Sequence, residues 1–250
     1  MAVPSPLGHR PTVAAMLVLT TMTGLIDTFS YFSLGHVFVA YMTGNIIFLG
    51  AGLRSITHLS VTVPAIAVCG FVLGSLTGGR LAAGLSHRPR RWLAAALAVE
   101  AVLLALVALV SGSGLITPDG TTAEHSGAPG GVPFAYVSVA LLTLAAGLQN
   151  STVRHFGVRD LNTSVLTLTL TGLTADSALG GGQGAKSHRR AGSIAAMLGG
   201  AAVAAALLRV SATAVAALAA VLVALVCAAF ATGRSAVSGS GAPSAKVRRG

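Results

Sequence analysis

The sequence predicts an all-α membrane protein with about six transmembrane helices and two shorter re-entrant or broken helices, arranged as two inverted repeats. Three observations support this prediction: a very apolar composition, apolar segments of bilayer length, and a polar motif that occurs once in each half. Of the 250 residues, 54% are hydrophobic and only 9% are charged, with a mean hydropathy of +0.81. A water-soluble globule of this size needs more polar surface, so we expect the chain to lie in a lipid bilayer.

Eight apolar segments are long enough to cross or enter a bilayer, and a full crossing takes about 20 residues. The segments cover residues 12–33, 37–53, 61–83, 92–111, 133–153, 163–180, 192–208 and 211–232. The second and sixth are short, closely follow the preceding segment, and contain Gly or many Thr. Residues 165–172 alternate in polarity like a strand, yet Thr163, Thr167, Thr171 and Thr174 also share one helical face, so both structures are possible here. Either one produces a stripe of hydroxyl groups, suited to a polar path or to bonding a neighbouring helix.

The distribution of basic residues distinguishes eight spans from six. Basic residues in short loops are retained in the cytoplasm. With eight spans and a cytoplasmic N-terminus, six of the 16 Lys and Arg residues would lie outside: Arg88, Arg90, Arg91, Arg154, Arg159 and Arg209. If the two short segments enter and leave from one side, only Arg54 and Arg209 lie outside. We therefore predict six spans in the bacterial cytoplasmic membrane, with both termini in the cytoplasm.

The predicted organisation divides the chain into two membrane halves. Residues 1–11 form a cytoplasmic segment, residues 12–111 the first membrane repeat, and residues 133–232 the second. Between them, residues 112–132 are rich in Gly, Pro and Thr and contain two acids but no Lys or Arg, as expected of an extracytoplasmic linker. Residues 233–250 are predicted to be a disordered basic tail.

A similar block occurs in each half. The sequences GLIDTFSYFSLGHVFVAYMTGN (24–45) and GLQNSTVRHFGVRDLNTSVLTLT (147–169) share a Gly-Leu start, an Asp or Asn at the fourth position, and a later Thr-containing triplet. Each half then continues with two further apolar helices, so one unit contains three spans and one partial element. An odd number of spans places the second copy upside down relative to the first, as in many secondary transporters.

These blocks, together with LTLTGLTAD, resemble the bacterial YoaK family, also classified as DUF1275. The resemblance covers most of residues 12–232, and its strongest motif extends from Asp27 to Asn45. It implies a bacterial inner-membrane protein with six helices and does not by itself imply an activity. The family usually has Thr-Gly-Thr where this chain has Thr167-Leu168-Thr169, which removes from the second block the backbone freedom that Gly44 provides in the first.

Asp27 is the most informative single residue, because it lies about 22 Å along an otherwise uncharged span at 1.5 Å per residue. An ionised carboxylate facing lipid there costs about 2.5–3.5 kcal/mol, so such a residue normally faces a cavity or a partner. Two interpretations have equal weight. Asp27 binds a proton or a cation during transport, or its carboxylate accepts backbone N–H bonds and holds the broken helix in place.

The predicted binding site joins residues from both halves. Thr43, Gly44 and Asn45 form a turn-capable break whose backbone and side chains can bind a small ion or solute. We expect them, with Asp27, to meet Asn150, Thr167 and Thr169 of the second half. This arrangement predicts a small secondary transporter of a small solute or ion, coupled to protons through Asp27. The alternative is a non-transporting scaffold or assembly protein, in which the same polar residues only hold the halves together.

Other features define the expected partners. Gly70, Gly74 and Gly78 form a glycine ridge suited to close helix packing, with a weaker copy at Ala195, Gly199 and Val203. The chain is small for a carrier, so we consider a homodimer packed through this ridge. Glu100 is expected to pair with Arg80 or to stabilise a subunit contact, and a second proton site is a less favoured alternative.

The composition argues against several classes of function. The net charge of +10 comes from basic residues that flank apolar spans, which favours lipid headgroups as partners and argues against nucleic acid. Cys69 and Cys227 lie inside apolar segments without metal-ligand spacing. No catalytic set, cofactor motif or metal motif is present, so we predict a protein that is not an enzyme and has no cofactor.

Overall fold

The computed structural model describes residues 9–52, 61–85, 87–112, 131–155, 166–177, 181 and 187–232. These residues form eight α-helices and, within the described ranges, no β-strand. The helices are α1 (His9–Ser33), α2 (Met42–Gly52), α3 (Thr62–Leu85), α4 (Pro89–Gly112), α5 (Gly131–His155), α6 (Leu166–Ala175), α7 (Ser187–Leu208) and α8 (Ala212–Thr232). All eight predicted segments are confirmed as helices. Most of the linker, the C-terminal tail, Arg54, Arg159 and Thr163 lie outside the described residues.

Six of these helices are long and apolar enough to cross a membrane: α1, α3, α4, α5, α7 and α8. Helices α2 and α6 have 11 and 10 residues, which correspond to about 16 Å and 15 Å of rise against a hydrocarbon core of about 30 Å. Over the described residues they are therefore too short to cross as α-helices. The all-α fold with six candidate spans is confirmed.

The alternating threonine segment is helical. The hydroxyl groups of Thr171 and Thr174 donate to the carbonyls of Thr167 and Leu170, one turn earlier in α6, at 2.9 and 3.1 Å. All three threonines are exposed. The Thr171 and Thr174 hydroxyls therefore bond within their own helix and not to a neighbouring one, while the role of the stripe in lining a polar path stays a prediction.

The helices pack in three principal pairs: α3 with α5, α1 with α7, and α4 with α8. Further contacts join α4 to α5 and α1 to α8, while α2 lies on α3 and α6 lies on α7. If α1 exchanges with α5, α2 with α6, α3 with α7, and α4 with α8, the contact of α4 with α8 maps onto itself. Each of the other contacts becomes another contact of the same set. The two halves therefore contribute to one common helix bundle in equivalent ways.

Glycines set the closest helix approaches. A methyl group on Gly74 would place its carbon 2.9 Å from the Leu144 carbonyl carbon of α5, and one on Gly200 would lie 2.9 Å from the Thr21 carbonyl carbon of α1. Because glycine has no side chain, it lets the backbones of two helices approach this closely. Gly147 contacts the backbone of α3 and Gly24 contacts that of α7, so the two pairs use equivalent glycines.

Two predictions about glycine packing are wrong. The second ridge uses Gly200, whereas Ala195, Gly199 and Val203 are exposed. Adjacent residues lie about 100° apart around a helix, so an assignment displaced by one position selects the wrong face. The ridge of Gly70, Gly74 and Gly78 is buried against α5 of the same chain and is not available to a second copy.

Candidate functional site

The link between α1 and α2 returns the chain alongside α1. Gly35 and His36 have positive φ angles of 96° and 59°, a left-handed conformation that glycine adopts readily and that commonly ends helices. The Leu34 N–H donates to the Ser30 carbonyl, and the His36 N–H donates to the Tyr31 carbonyl at 3.2 Å. This reversal directs residues 37–41 back toward the middle of α1.

Asp27 holds that returning segment. One carboxylate oxygen, Oδ1, accepts hydrogen bonds from the Val39 and Ala40 backbone N–H groups at 2.8 and 3.0 Å. The Ser30 hydroxyl donates to the Val37 carbonyl at 2.8 Å and fixes the same segment one turn away. Asp27 is 5% exposed, and its second oxygen, Oδ2, has no hydrogen-bond partner in the described part of the chain. One oxygen is therefore structural and the other is left unbonded inside the protein.

Asn45 fixes the other end of the link. Its Oδ1 accepts from the Phe38 N–H at 3.0 Å, and its Nδ2 donates to the Phe38 carbonyl at 2.6 Å. Asn45 is fully buried and Thr43 is exposed, while Gly44 faces the Phe38 ring. These three predicted site residues shape the link, and none of them lines either cavity beside Asp27.

An aromatic cavity of about 300 Å³ lies on one side of Asp27. The rings of Tyr31 and Phe38 stack there with centroids 5.3 Å apart, and the Tyr41 hydroxyl donates to the Met197 sulfur of α7 at 3.1 Å. Further lining residues are Gly24, Thr28, Phe32 and Ala201. Such a cavity suits a small molecule with an apolar body and one polar or positively charged group.

A smaller central cavity lies on the other side of Asp27, with room for about one water molecule. Helix α1 contributes Met22, Thr23 and Ile26, while α5 contributes Ala145, Ala146 and Gln149. If Gly24 is matched with Gly147, these are the same three positions of the two equivalent helices. The remaining lining residues are Asp27, Val39, Ala40, Glu100, Leu104 and Leu142.

Glu100 is the second acid in the central cavity. It is 1% exposed, and its Oε2 has no hydrogen-bond partner in the described ranges. The expected pair with Arg80 does not form, since Arg80 is exposed on α3 whereas the Glu100 side chain lines the bundle interior. The sequence marks Glu100 as unusual, because it is a single acid in an apolar segment. It does not predict that Glu100 shares a cavity with Asp27.

The predicted residues of the second half take different places. Asn150 donates from Nδ2 to the Ala146 carbonyl at 3.0 Å, and its neighbour Gln149 is the residue that lines the central cavity. Thr167 is exposed, and Thr169 is buried on α6, which packs on α7. Asp27, Gln149 and Glu100 therefore line one cavity, while Asn150, Thr167 and Thr169 are not among the residues that line either cavity.

Carboxylate and amide groups dominate the polar chemistry of this region. Within the described ranges, no three His, Cys, Asp or Glu residues are grouped so that they could hold a metal ion. The two acids and one amide can instead bind water, exchange protons or hold a single positive charge. The adjoining aromatic cavity provides space for a larger molecule beside the same aspartate.

Comparisons with known proteins identify the family. Residues 15–229 match the family described as Protein of unknown function (DUF1275). The chain is also 30% identical over 171 residues to the UPF0700 transmembrane protein YoaK of Bacillus subtilis (strain 168), an alignment that covers 67% of each chain. No solved structure matches significantly. The chain is therefore a membrane protein that belongs to the DUF1275 family and is similar to YoaK.

Proposed function

We propose that this protein is a small proton-coupled secondary transporter in the bacterial cytoplasmic membrane, with Asp27 as the coupling group. The observation that supports it best is the free oxygen of Asp27 between two cavities. The aromatic cavity has the size and polarity for a small solute, and the central cavity has the size for a water molecule that carries a proton. A carboxylate that lines both cavities can link solute binding to proton binding.

The equivalence of the two halves supports a transport cycle. Each half has three long helices and one short helix, so with three crossings each the halves have opposite orientations in the membrane. In transporters of this plan, one half moves against the other around a site near the bilayer midplane. The central cavity is walled by equivalent positions of α1 and α5, one helix from each half, and this supports the proposal that the site lies between the halves.

Proton binding would act on the link through its hydrogen bonds. The ionised Asp27 attracts the Val39 and Ala40 N–H groups strongly, because charge-assisted bonds are about twice as strong as neutral ones. Neutralising the carboxyl weakens both bonds and loosens the segment that includes Phe38 and Tyr41 in the wall of the aromatic cavity. Protonation would therefore shift the population between a closed and an open cavity.

The membrane orientation has its own test. We expect a cysteine at His36→Cys to react with an impermeant maleimide added outside intact cells, and one at His87→Cys to react only after the cells are opened. Both positions are exposed, and α3 separates them. The native Cys69 and Cys227 are replaced by alanine in both variants. Labelling of His36→Cys from the cytoplasmic side would contradict the six-span orientation.

The transport proposal is tested with purified protein in liposomes that contain a trapped pH dye. A thermal-shift panel of small amines, amino acids, carboxylates and sugars first identifies a compound that stabilises the protein. Adding that compound outside wild-type proteoliposomes is expected to change the internal pH. Asp27→Asn should abolish the pH change, because an amide cannot carry the proton. Asp176→Asn is the matched control, since Asp176 is an exposed acid that follows α6 and pairs with Arg190, away from both cavities.

The same experiment distinguishes the alternative function. Uptake of the labelled compound at equal rates in wild type and Asp27→Asn, without a pH change, would contradict coupling through Asp27. If no compound of the panel enters wild-type vesicles faster than protein-free vesicles, the carrier proposal fails for these solute classes. A non-transporting scaffold would give that result, since its polar residues only hold the link and the halves together.

A further inference from the structure

We propose that the central cavity is a two-carboxyl proton site, in which Glu100 shares one proton and one water molecule with Asp27 and Gln149 donates to that water. This inference rests on the proposed function and assigns a second residue to its coupling step. Glu100 comes from α4 and Gln149 from α5, so the site uses three different transmembrane helices.

Three unbonded polar atoms carry the inference. Asp27 Oδ2, Glu100 Oε2 and Gln149 Nε2 are all buried, and none has a hydrogen-bond partner in the described part of the chain. All three residues line the central cavity. Buried polar atoms are nearly always bonded, and leaving one unbonded costs about 1–3 kcal/mol. A single water can make two to four hydrogen bonds, so about one water molecule in this cavity could serve all three atoms.

The cavity favours a proton over a metal cation. Its other lining residues are largely apolar, including Met22, Ile26, Leu104 and Leu142, and offer no set of oxygen ligands. Alkali and alkaline-earth ions need several oxygens around them, and about one water of space does not hold a hydrated ion. Two ionised carboxylates around one apolar cavity repel each other, and a shared proton removes that repulsion.

The surroundings contain few other charges. None of the described residues lining either cavity is Lys, Arg or His. From the link and α1, Tyr41 and Tyr31 face Asp27 in the aromatic cavity, and α7 presents Met197 there. On α8, the Cys227 thiol donates a hydrogen bond to the Ala94 carbonyl of α4, which precedes Glu100 on the same helix. The two acids are therefore the only carboxyl groups among the described lining residues, and they should titrate as a coupled pair.

Infrared spectroscopy during a pH titration tests the pair without any solute. Protonated carboxyl groups in the interior give C=O bands that shift in D₂O and can be followed against pH in the purified wild-type protein. We expect Glu100→Gln and Asp27→Asn each to remove part of this signal. In each variant the remaining acid should titrate about one pH unit or more from its wild-type midpoint. Asp176→Asn, which removes an exposed acid that pairs with Arg190, should leave the interior carboxyl bands and their midpoints unchanged.

The inference is overturned if Glu100→Gln leaves both the interior carboxyl bands and the Asp27 midpoint unchanged. If Glu100→Gln does not fold, Gln149→Met replaces it, because methionine keeps the side-chain length and removes only the amide. The Asp27 and Glu100 bands should then shift in frequency, and unchanged bands overturn the shared water. Coupled bands without transport would contradict only the proposed function, whereas transport without coupled bands would contradict only this inference.

Discussion

Gly74→Ala is expected to lower the melting temperature of the purified protein by about 2–12 °C. The added methyl carbon would lie 2.9 Å from the Leu144 carbonyl carbon, well inside van der Waals contact. Because the clash is with the backbone of α5, no side-chain rotation can relieve it, and the helices must separate. Overpacking of this kind costs about 1–3 kcal/mol, and each kcal/mol corresponds to about 2–4 °C in a chain of this size.

Gly199→Ala is the matched control for this prediction. A methyl group at Gly199 has no heavy atom within 4 Å, although the next residue, Gly200, touches the α1 backbone. Alanine is the better helix former by up to about 1 kcal/mol, so Gly199→Ala should be neutral or stabilising. Gly200→Ala should destabilise like Gly74→Ala, since it occupies the equivalent contact. Equal stability of all three variants would contradict the close pairing of α3 with α5 and α1 with α7.

The helices could be predicted from the sequence because their signal is local. A segment of about 20 apolar residues is visible without knowing its neighbours, and a carboxylate such as Asp27 stands out within it. Of the two interpretations of Asp27, the hydrogen bonds from Val39 and Ala40 confirm the one in which its carboxylate holds the returning backbone, and proton or cation binding stays a prediction. This part of the site lies within 13 positions of one residue, so a short stretch of sequence contains all of it.

The facing surfaces of the helices could not be predicted in the same way. In a bilayer both the lipid-facing and the buried side of a helix are apolar, so hydropathy does not mark which face is inside. The four-residue spacing of small residues points to Gly199, and the match between the two halves points to Asn150, whereas the structure uses Gly200 and Gln149. That Glu100 and Asp27 line one cavity depends on how α4 and α1 are placed in the bundle, and nothing in either local sequence specifies that placement.

Asp27→Leu is expected to destabilise the protein by about 2–6 kcal/mol, while Asp27→Asn should retain most of the stability. Leucine leaves the Val39 and Ala40 N–H groups buried without an acceptor, at about 1–3 kcal/mol each. Asparagine keeps an oxygen at the Oδ1 position and can accept both bonds. Comparing Asp27→Leu with Asp27→Asn therefore distinguishes two roles of Asp27: accepting the hydrogen bonds that hold the link, and binding a proton. The single tryptophan, Trp92, is buried on α4 and reports unfolding through its fluorescence.

The relative stability of the two variants decides what the carboxylate is needed for. If Asp27→Asn is folded and as stable as wild type, the structure does not need the charge at this position, and a burial cost of several kcal/mol is left for function to explain. If Asp27→Asn unfolds as readily as Asp27→Leu, the charge itself holds the link, which is the behaviour of a scaffold. A stable Asp27→Leu variant would mean that the two amides find other partners, and the hydrogen bonds at 2.8 and 3.0 Å would then not be what positions the link.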